Sequence, residues 1–274
     1  MSMSYIVTND HVRLAYSDVG DGPTMIFLPG YSDIKETWYF QSKYFSENGY
    51  RIICLDWRSH GCSAHTAKNM KIMRLAADLH ELITTLKLEN VILIGHSMGA
   101  SVIWAYVTIF GQTNVSKIIT VDESPKLIND VGWQAGIKNL NWDNFIELAP
   151  LILQQPLTEQ QMPATLKNIR NRFKTDHPFD ADLGYGLLLD HMKQDWRTTV
   201  INITVPQLFV VGDKSPLWAG DYSNYCEKKN NINIFKTLIK NTGHFPQIED
   251  AERFNSEIDL FRNAKPQIAQ KQSL

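Results

Sequence analysis

The sequence predicts an α/β protein with a mostly parallel central sheet and helices on both of its faces. Short, continuously apolar segments, such as residues 24–28 and 91–94, are typical of strands buried on both sides. Segments of helical periodicity lie between them, and in residues 69–88 the apolar side chains recur along one stripe. Glycine and proline stand at the boundaries, as in Pro29-Gly30 after the first of these strands.

The same alternation predicts the individual elements in order. Strands are expected at residues 5–8, 12–19, 24–28, 51–57, 91–94, 115–121, 207–211 and 232–238. The helices of this core are expected at residues 38–48, 69–88, 98–110, 222–229 and 251–262. Gly49 and Gly111 follow two of them, and glycine is the residue that most often follows the last turn of a helix. The polar residues 265–274 are expected to fray.

The alternation of strand and helix patterns stops after Asp122 and resumes near residue 207. Between about residues 139 and 195 the sequence has helical patterns at 144–153, 158–173 and 180–195, and it is rich in aromatic side chains. An all-helical insert in a parallel-sheet domain most often covers a crevice at the strand ends. We therefore expect a core domain of residues 1–138 and 196–274, with residues 139–195 forming a helical cap or lid after the sixth strand.

The composition excludes several classes of protein. With 43% hydrophobic residues the chain is not disordered, and its net charge of −2 gives no field that attracts nucleic acid. No apolar run is long enough to span a membrane, and the first residues lack the features of a signal peptide. The three cysteines, Cys54, Cys62 and Cys226, form no CxxC pair, which argues against a disulfide framework or a zinc site. A cytoplasmic protein without metal is expected.

A candidate nucleophile lies in Gly95-His96-Ser97-Met98-Gly99, a G-x-S-x-G pattern. An apolar strand precedes it and an apolar helix follows it, so Ser97 is expected on a tight turn at the carboxyl edge of the sheet. The free N–H groups of the helix N-terminus favour negative charge that develops there. The alternative interpretation is a serine that only caps the helix.

A serine hydroxyl needs a base, and the base needs an acid that orients it. His244 lies in a loop between the last strand and the last helix, at the same sheet edge as Ser97. For the acid, Asp213 is favoured because it follows the strand at 207–211; Asp122 and Glu123, which follow the strand at 115–121, are the rivals. His191, in the insert, is expected to be solvated rather than to touch substrate.

The order Ser97, Asp213, His244, together with the nucleophile turn and the helical insert, resembles the α/β-hydrolase superfamily over residues 5–262. The segments Leu28-Pro29-Gly30-Tyr31 and Asp56-Trp57-Arg58-Ser59-His60-Gly61-Cys62-Ser63 add to the resemblance, the latter with Ser59 in place of the family's glycine. The resemblance implies a serine esterase or a cofactor-free haloperoxidase-like enzyme with a helical cap. It also implies an oxyanion hole formed by the backbone N–H groups of Tyr31 and Met98.

Residues and resemblance together predict a carboxylic ester hydrolase that acts on small to medium apolar substrates through an acyl-enzyme, without a metal or organic cofactor. The alternatives on the same three side chains are a perhydrolase or haloperoxidase, a lactonase, a hydrolase of carbon–carbon bonds and a ligand sensor with slow turnover. The expected partner is a small-molecule substrate, with neither nucleic acid nor a membrane span. A monomer and a homodimer are both compatible with the sequence.

Overall fold

A computed structural model describes residues 3–227 and 233–262 of the chain. Its centre is an eight-stranded sheet in the order β1-β2-β4-β3-β5-β6-β7-β8. Strands β1, β2 and β4 pair in antiparallel fashion, and the other neighbours are parallel. The strands are β1 (Met3–Val7), β2 (Arg13–Val19), β3 (Thr24–Leu28), β4 (Arg51–Leu55), β5 (Val91–His96), β6 (Val115–Val121), β7 (Gln207–Gly212) and β8 (Ile234–Ile239). The predicted mostly parallel sheet is confirmed.

The helices of the described residues alternate with the strands, beginning with a short 3₁₀ turn at Lys35–Trp38. They are α1 (Tyr39–Glu47), α2 (Ile72–Thr85), α3 (Met98–Phe110), α4 (Phe145–Ile152), α5 (Ala164–Asp176), α6 (Ala181–Met192), α7 (Arg197–Asn202), α8 (Tyr222–Glu227), α9 (Pro246–Glu249) and α10 (Ala251–Arg262). The ends of two predicted elements, at residues 228–229 and 232, and the predicted fraying tail at 265–274 lie outside the described residues. In the described ranges, no helix is long and apolar enough to cross a bilayer.

The sheet separates two apolar layers, and the alternation of side chains along each strand produces them. In β3, Ile26 and Leu28 belong to one layer, whereas Met25 and Phe27 belong to the other. The apolar stripe of α2 packs into the first layer, as its periodicity predicts. Because both faces are covered, the strand ends at the carboxyl edge are the part of the sheet left for a site.

Four helices, α4 to α7, lie between β6 and β7. The first three correspond to the predicted helical segments, whereas α7 was not predicted, since six residues are too few to show a clear period. Helix α6 packs against α4 and also against α2 of the core, and α5 contacts the 3₁₀ turn at Lys35–Trp38. The insert therefore touches the core on both sides of the carboxyl edge. Its boundaries at residues 139 and 195 stay a prediction.

A buried ion pair fixes the loop after β4 to helix α2. The guanidinium of Arg58 donates two hydrogen bonds of 2.7 Å to the carboxylate of Asp78, and neither side chain is exposed to solvent. The third nitrogen of Arg58, Nη1, donates to Asp10 at 2.9 Å. Because the loop that carries Arg58 continues to His60, this pair anchors a segment that reaches the site described below.

Substitution Arg58→Met is expected to lower the free energy of unfolding by about 3–5 kcal/mol, because it leaves the buried Asp78 carboxylate without its strongest partner. Urea unfolding measures the change. Arg51→Met is the matched control: its ion pair with Asp18 is partly exposed, so the loss there is expected to stay below about 1 kcal/mol. Equal losses in the two variants would contradict the anchoring role.

Candidate active site

Ser97 occupies the turn between β5 and α3 with a backbone that L-residues rarely adopt. Its φ is 51° and its ψ is −125°, a strained conformation held by backbone hydrogen bonds on both sides. The N–H of Ser97 donates to the carbonyl of Val121 at 2.9 Å, and its carbonyl accepts from the N–H of Ala100 at 2.8 Å. The side chain is partly exposed at the carboxyl edge of the sheet. The predicted nucleophile turn is therefore present.

The two glycines of the pentapeptide are required by close backbone contacts. A Cβ at Gly95 would lie 2.5 Å from the carbonyl carbon of Gly99, and a Cβ at Gly99 would lie 2.4 Å from the carbonyl oxygen of Leu28. Both distances are shorter than any ordinary carbon contact. The turn can be this tight only because neither residue has a side chain.

His244 is held in the loop after β8 by contacts on both faces of its backbone. It is 2% exposed, its N–H donates to the carbonyl of Leu157 at 2.7 Å, and its carbonyl oxygen lies 2.7 Å from Nε2 of His96. Nε2 of His96 therefore carries the proton of this hydrogen bond. Burial holds the pKa of His96 well below its usual value, so that ring stays neutral and supports the loop.

The carboxylate beside His244 is not that of Asp213, the expected acid. Nδ1 of His244 lies 2.7 Å from Oδ2 of Asp122, which follows β6, and not beside Asp213. Asp122 has a φ of 47°, and this left-handed turn directs the chain away from the strand direction immediately after Val121. Three further donors reach the buried carboxylate: the N–H of Gly212 at 3.1 Å, Oγ of Ser215 at 2.6 Å and Nε1 of Trp218 at 3.0 Å.

Asp213 instead closes the turn that precedes the histidine loop. Its Oδ1 accepts the N–H of Asn241 at 2.6 Å, and Nζ of Lys240 lies 3.5 Å from its Oδ2. Its backbone N–H donates to the carbonyl of Ile239 at 3.1 Å, which continues the pairing of β7 with β8. This register places the side chain next to the end of β8 and away from the imidazole. Asp213 thus has the turn role that an aspartate beside a glycine commonly has.

Glu123, the other rival for the acid, contacts a different histidine. Its Oε1 accepts from Oγ of Ser101 at 3.2 Å and lies 3.3 Å from Nε2 of His191. The solvated position expected for His191 is wrong, since the residue is 3% exposed. Helix α6 turns His191 toward the core because its other face carries the exposed residues of the insert.

The two predicted oxyanion donors lie on either side of Ser97. Tyr31 follows β3, and Met98 is the first residue of α3. Within residues 3–227 and 233–262, neither backbone N–H has a hydrogen-bond acceptor. A Cβ at Gly30 would lie 3.2 Å from Cβ of Ser97, so the Tyr31 loop passes as close to the serine as a glycine allows.

The loop at residues 56–63 holds the Tyr31 loop in place. Nε1 of Trp57 donates to the carbonyl of Pro29 at 2.9 Å, and Nε2 of His60 accepts the N–H of Ser32 at 3.1 Å. Nδ1 of His60 lies 2.9 Å from the carbonyl of Arg58, which fixes the neutral ring with its proton on Nδ1. Burial lowers the pKa of His60, in agreement with this neutral form.

Ser97 and Tyr31 line two cavities, which we call the outer cleft and the inner cavity. The outer cleft has a volume of about 280 Å³ and includes His244, with polar side chains such as Asp33, Arg170 and Lys174 along its wall. The inner cavity measures about 20 Å³ and is mostly apolar. Its lining includes Leu127, Ile137, Leu188, Met192, Leu217 and Trp218, together with Glu123 and His191. A volume of this size holds about one water molecule.

A family model described as the alpha/beta hydrolase fold matches residues 23–251. The chain belongs to the α/β-hydrolase family. The AB hydrolase superfamily protein YisY of Bacillus subtilis is 28% identical over 276 residues, which cover 95% of this chain and 99% of that protein. A non-heme chloroperoxidase of Burkholderia pyrrocinia is 34% identical over 130 residues, which cover 46% of this chain and 47% of that protein.

Solved structures give the same fold. The esterase EaEST from Exiguobacterium antarcticum superposes with a TM-score of 0.84 at 22% identity, covering 95% of this chain and 99% of that one. A bromoperoxidase from Bacillus anthracis superposes with a TM-score of 0.82 at 21% identity, covering 96% and 100%. The family match and the curated relatives, which include a haloperoxidase and a putative esterase/lipase, make the chain an enzyme of the α/β-hydrolase family. In the part of this chain that the structure describes, no group of three or more His, Cys, Asp or Glu side chains is placed to hold a metal ion.

Sequence reasoning missed the two side chains that fix the Asp122 carboxylate, Ser215 and Trp218. One signal was available, because the acidic pair Asp122-Glu123 follows a buried strand directly and buried carboxylates need donors. The sequence could not identify those donors, since they lie more than 90 positions from Asp122 along the chain.

Acidification from about pH 7 to about pH 5.5 is expected to lower the free energy of unfolding. Burial depresses the pKa of His60, His96 and His191, the last to about 3. In the unfolded chain these histidines have the ordinary pKa of about 6.5, so they bind protons on acidification that the same histidines do not bind in the native state. Each such histidine contributes up to about 1.4 kcal/mol per pH unit below that value. The raised pKa of Glu123 opposes part of this loss, because the native state keeps that proton.

Urea unfolding across this pH range measures how the free energy of unfolding depends on pH, and this slope gives the number of protons taken up on unfolding. His191→Phe is expected to reduce that number by about one. The control is His65→Gln at an exposed loop position, which is expected to leave the slope unchanged. A His191→Phe slope equal to that of the unsubstituted protein would show that His191 is not buried in its neutral form.

Proposed function

We propose that this protein is a serine-dependent hydrolase of carboxylic esters, with Ser97 as nucleophile, His244 as base and Asp122 as the acid that orients it. One observation carries the proposal: the buried Asp122 carboxylate lies 2.7 Å from Nδ1 of His244, which shares a cleft with Ser97. Since Nδ1–H is donated to the carboxylate, the lone pair of Nε2 is left to accept the serine proton.

The residues then support a two-step acyl transfer. Oγ of Ser97 attacks the ester carbonyl while Nε2 of His244 takes its proton, and the N–H groups of Tyr31 and Met98 bind the resulting oxyanion. The intermediate expels the alcohol, which receives the proton from His244, and Ser97 is left acylated. Water repeats the sequence and releases the acid. Each oxyanion donor is worth about 3 kcal/mol of the barrier, and proton transfer at least about a hundredfold in rate.

The two cavities receive different parts of the substrate. His244 must return its proton to the leaving alcohol, and His244 lines the outer cleft, so the alcohol occupies that cleft. The acyl group is left with the inner cavity, whose volume of about 20 Å³ favours a short acyl chain. Residues of the insert line both cavities, among them Leu153 and Arg170, which supports a cap function for residues 139–195.

A second candidate activity is perhydrolysis. The relatives include a bifunctional esterase/perhydrolase from Acinetobacter calcoaceticus, 27% identical over 128 residues, as well as the chloroperoxidase named above. Hydrogen peroxide in place of water would attack the same acyl-enzyme and release a peroxyacid. The two activities use the same residues of this chain and differ only in the second nucleophile.

A p-nitrophenyl phosphonate is expected to add one mass label per chain, at Ser97, and to stop the hydrolysis of p-nitrophenyl acetate. Ser97→Ala should lose the label and at least about a thousandfold in kcat/KM without a change in Tm, because the serine makes no folding contact that alanine lacks. Intact-protein mass spectrometry and steady-state kinetics measure the two effects.

The matched control is Ser256→Ala, at an exposed position of α10, which is expected to keep both label and activity. Retained ester hydrolysis in Ser97→Ala would refute the proposed nucleophile. Stoichiometric labelling of the unsubstituted protein with less than about one turnover per minute would instead favour the ligand sensor over the esterase.

A further inference from the structure

The inner cavity contains two buried polar side chains that the proposed acyl transfer does not use. Glu123 is 1% exposed and His191 is 3% exposed, and both line the cavity together with Ser97. Oε1 of Glu123 lies 3.3 Å from Nε2 of His191 and 3.2 Å from Oγ of Ser101. The rest of the lining is largely aliphatic, so this pair is the polar end of an otherwise apolar space.

Burial favours the neutral form of both side chains. Burial, and to a lesser degree the charge of Asp122, raises the pKa of Glu123 well above its usual value. Burial lowers the pKa of His191 to about 3, with a smaller contribution from His244. These shifts favour a carboxylic acid next to an uncharged imidazole, and such a pair can both donate and accept hydrogen bonds.

The pair also keeps unused hydrogen-bonding capacity. Within residues 3–227 and 233–262, Oε2 of Glu123 has no hydrogen-bond partner, and Nδ1 of His191 is buried without one. A buried polar atom without a partner, here Nδ1 of His191, is costly and uncommon in folded proteins. Since these atoms belong to side chains at the wall of a cavity that adjoins Ser97, a polar group of the substrate is a suitable partner for them.

We propose that Glu123 and His191 form a hydrogen-bonding subsite that selects a short acyl group bearing a hydroxyl, such as a 2-hydroxyacyl group, over an alkyl acyl group of equal size. The inference rests on the proposed function, because it assigns the acyl group to the inner cavity. A hydroxyl both donates and accepts, as a neutral acid and a neutral imidazole require. The cavity holds about one water molecule, which is the space that the hydroxyl of such a group needs.

Two esters that differ only in this group test the proposal: p-nitrophenyl propionate, and p-nitrophenyl glycolate, which has a hydroxyl where propionate has its terminal methyl. The ratio of their kcat/KM values is compared between variants, so the intrinsic reactivity of each ester cancels. In Glu123→Met we expect the glycolate-to-propionate ratio to fall at least about tenfold, because the hydroxyl of the glycolyl group loses a hydrogen-bond partner. His191→Phe, which keeps the ring volume, is expected to lower the ratio in the same direction.

The control is Glu89→Met, at an exposed position, which is expected to keep the ratio of the unsubstituted protein. Circular dichroism and Tm establish that each variant folds, and if Glu123→Met does not fold, the ratio in His191→Phe decides. A ratio unchanged in a folded variant would overturn the proposal and leave the pair only the role of joining α6 to the core. Hydrolysis of both esters by Ser97→Ala would instead refute the proposed function, whatever the ratio.

Discussion

The hydrogen bond between Asp122 and His244 is the contact on which the site depends. It joins the end of β6 to the loop after β8, across the intervening strand β7. A buried carboxylate is expensive unless several donors satisfy it, and Asp122 receives four, from Gly212, Ser215, Trp218 and His244. Three of these donors fix the carboxylate, so that its remaining bond can fix the imidazole in one tautomer and one orientation.

Ser97, the proposed nucleophile, is held by backbone packing rather than by side chains. Gly95 and Gly99 allow the strand, the turn and the first turn of α3 to approach within distances that any Cβ would block. The neighbouring Tyr31 loop is fixed in turn by Trp57 and by the neutral ring of His60. These contacts hold the two free N–H groups beside Ser97 before a substrate arrives, and such preorganisation is where most of the electrostatic catalysis of acyl transfer originates.

The sequence was sufficient for the sheet, the longer helices of the core and the Ser97 turn, because each follows from a local pattern of apolar residues and glycine. The proposed acid partner of His244 could not be identified from such a local pattern. Asp122 and Asp213 both follow apolar strands that end at the same edge, and the choice between them depends on the left-handed backbone of Asp122 and on the pairing of Asp213 with Asn241. The burial of His191 was also missed, since the periodicity of α6 does not show which core residues it meets.

The most direct test of this account compares Asp122→Asn with Asp213→Asn in kcat/KM for p-nitrophenyl acetate. Asparagine in place of Asp122 turns an NH₂ donor toward other donors in either orientation, so we expect a loss of about ten-thousandfold. Asparagine at position 213 can still accept the N–H of Asn241, so we expect a loss of less than about tenfold. A large loss in Asp213→Asn together with an active Asp122→Asn would contradict the assignment of the acid.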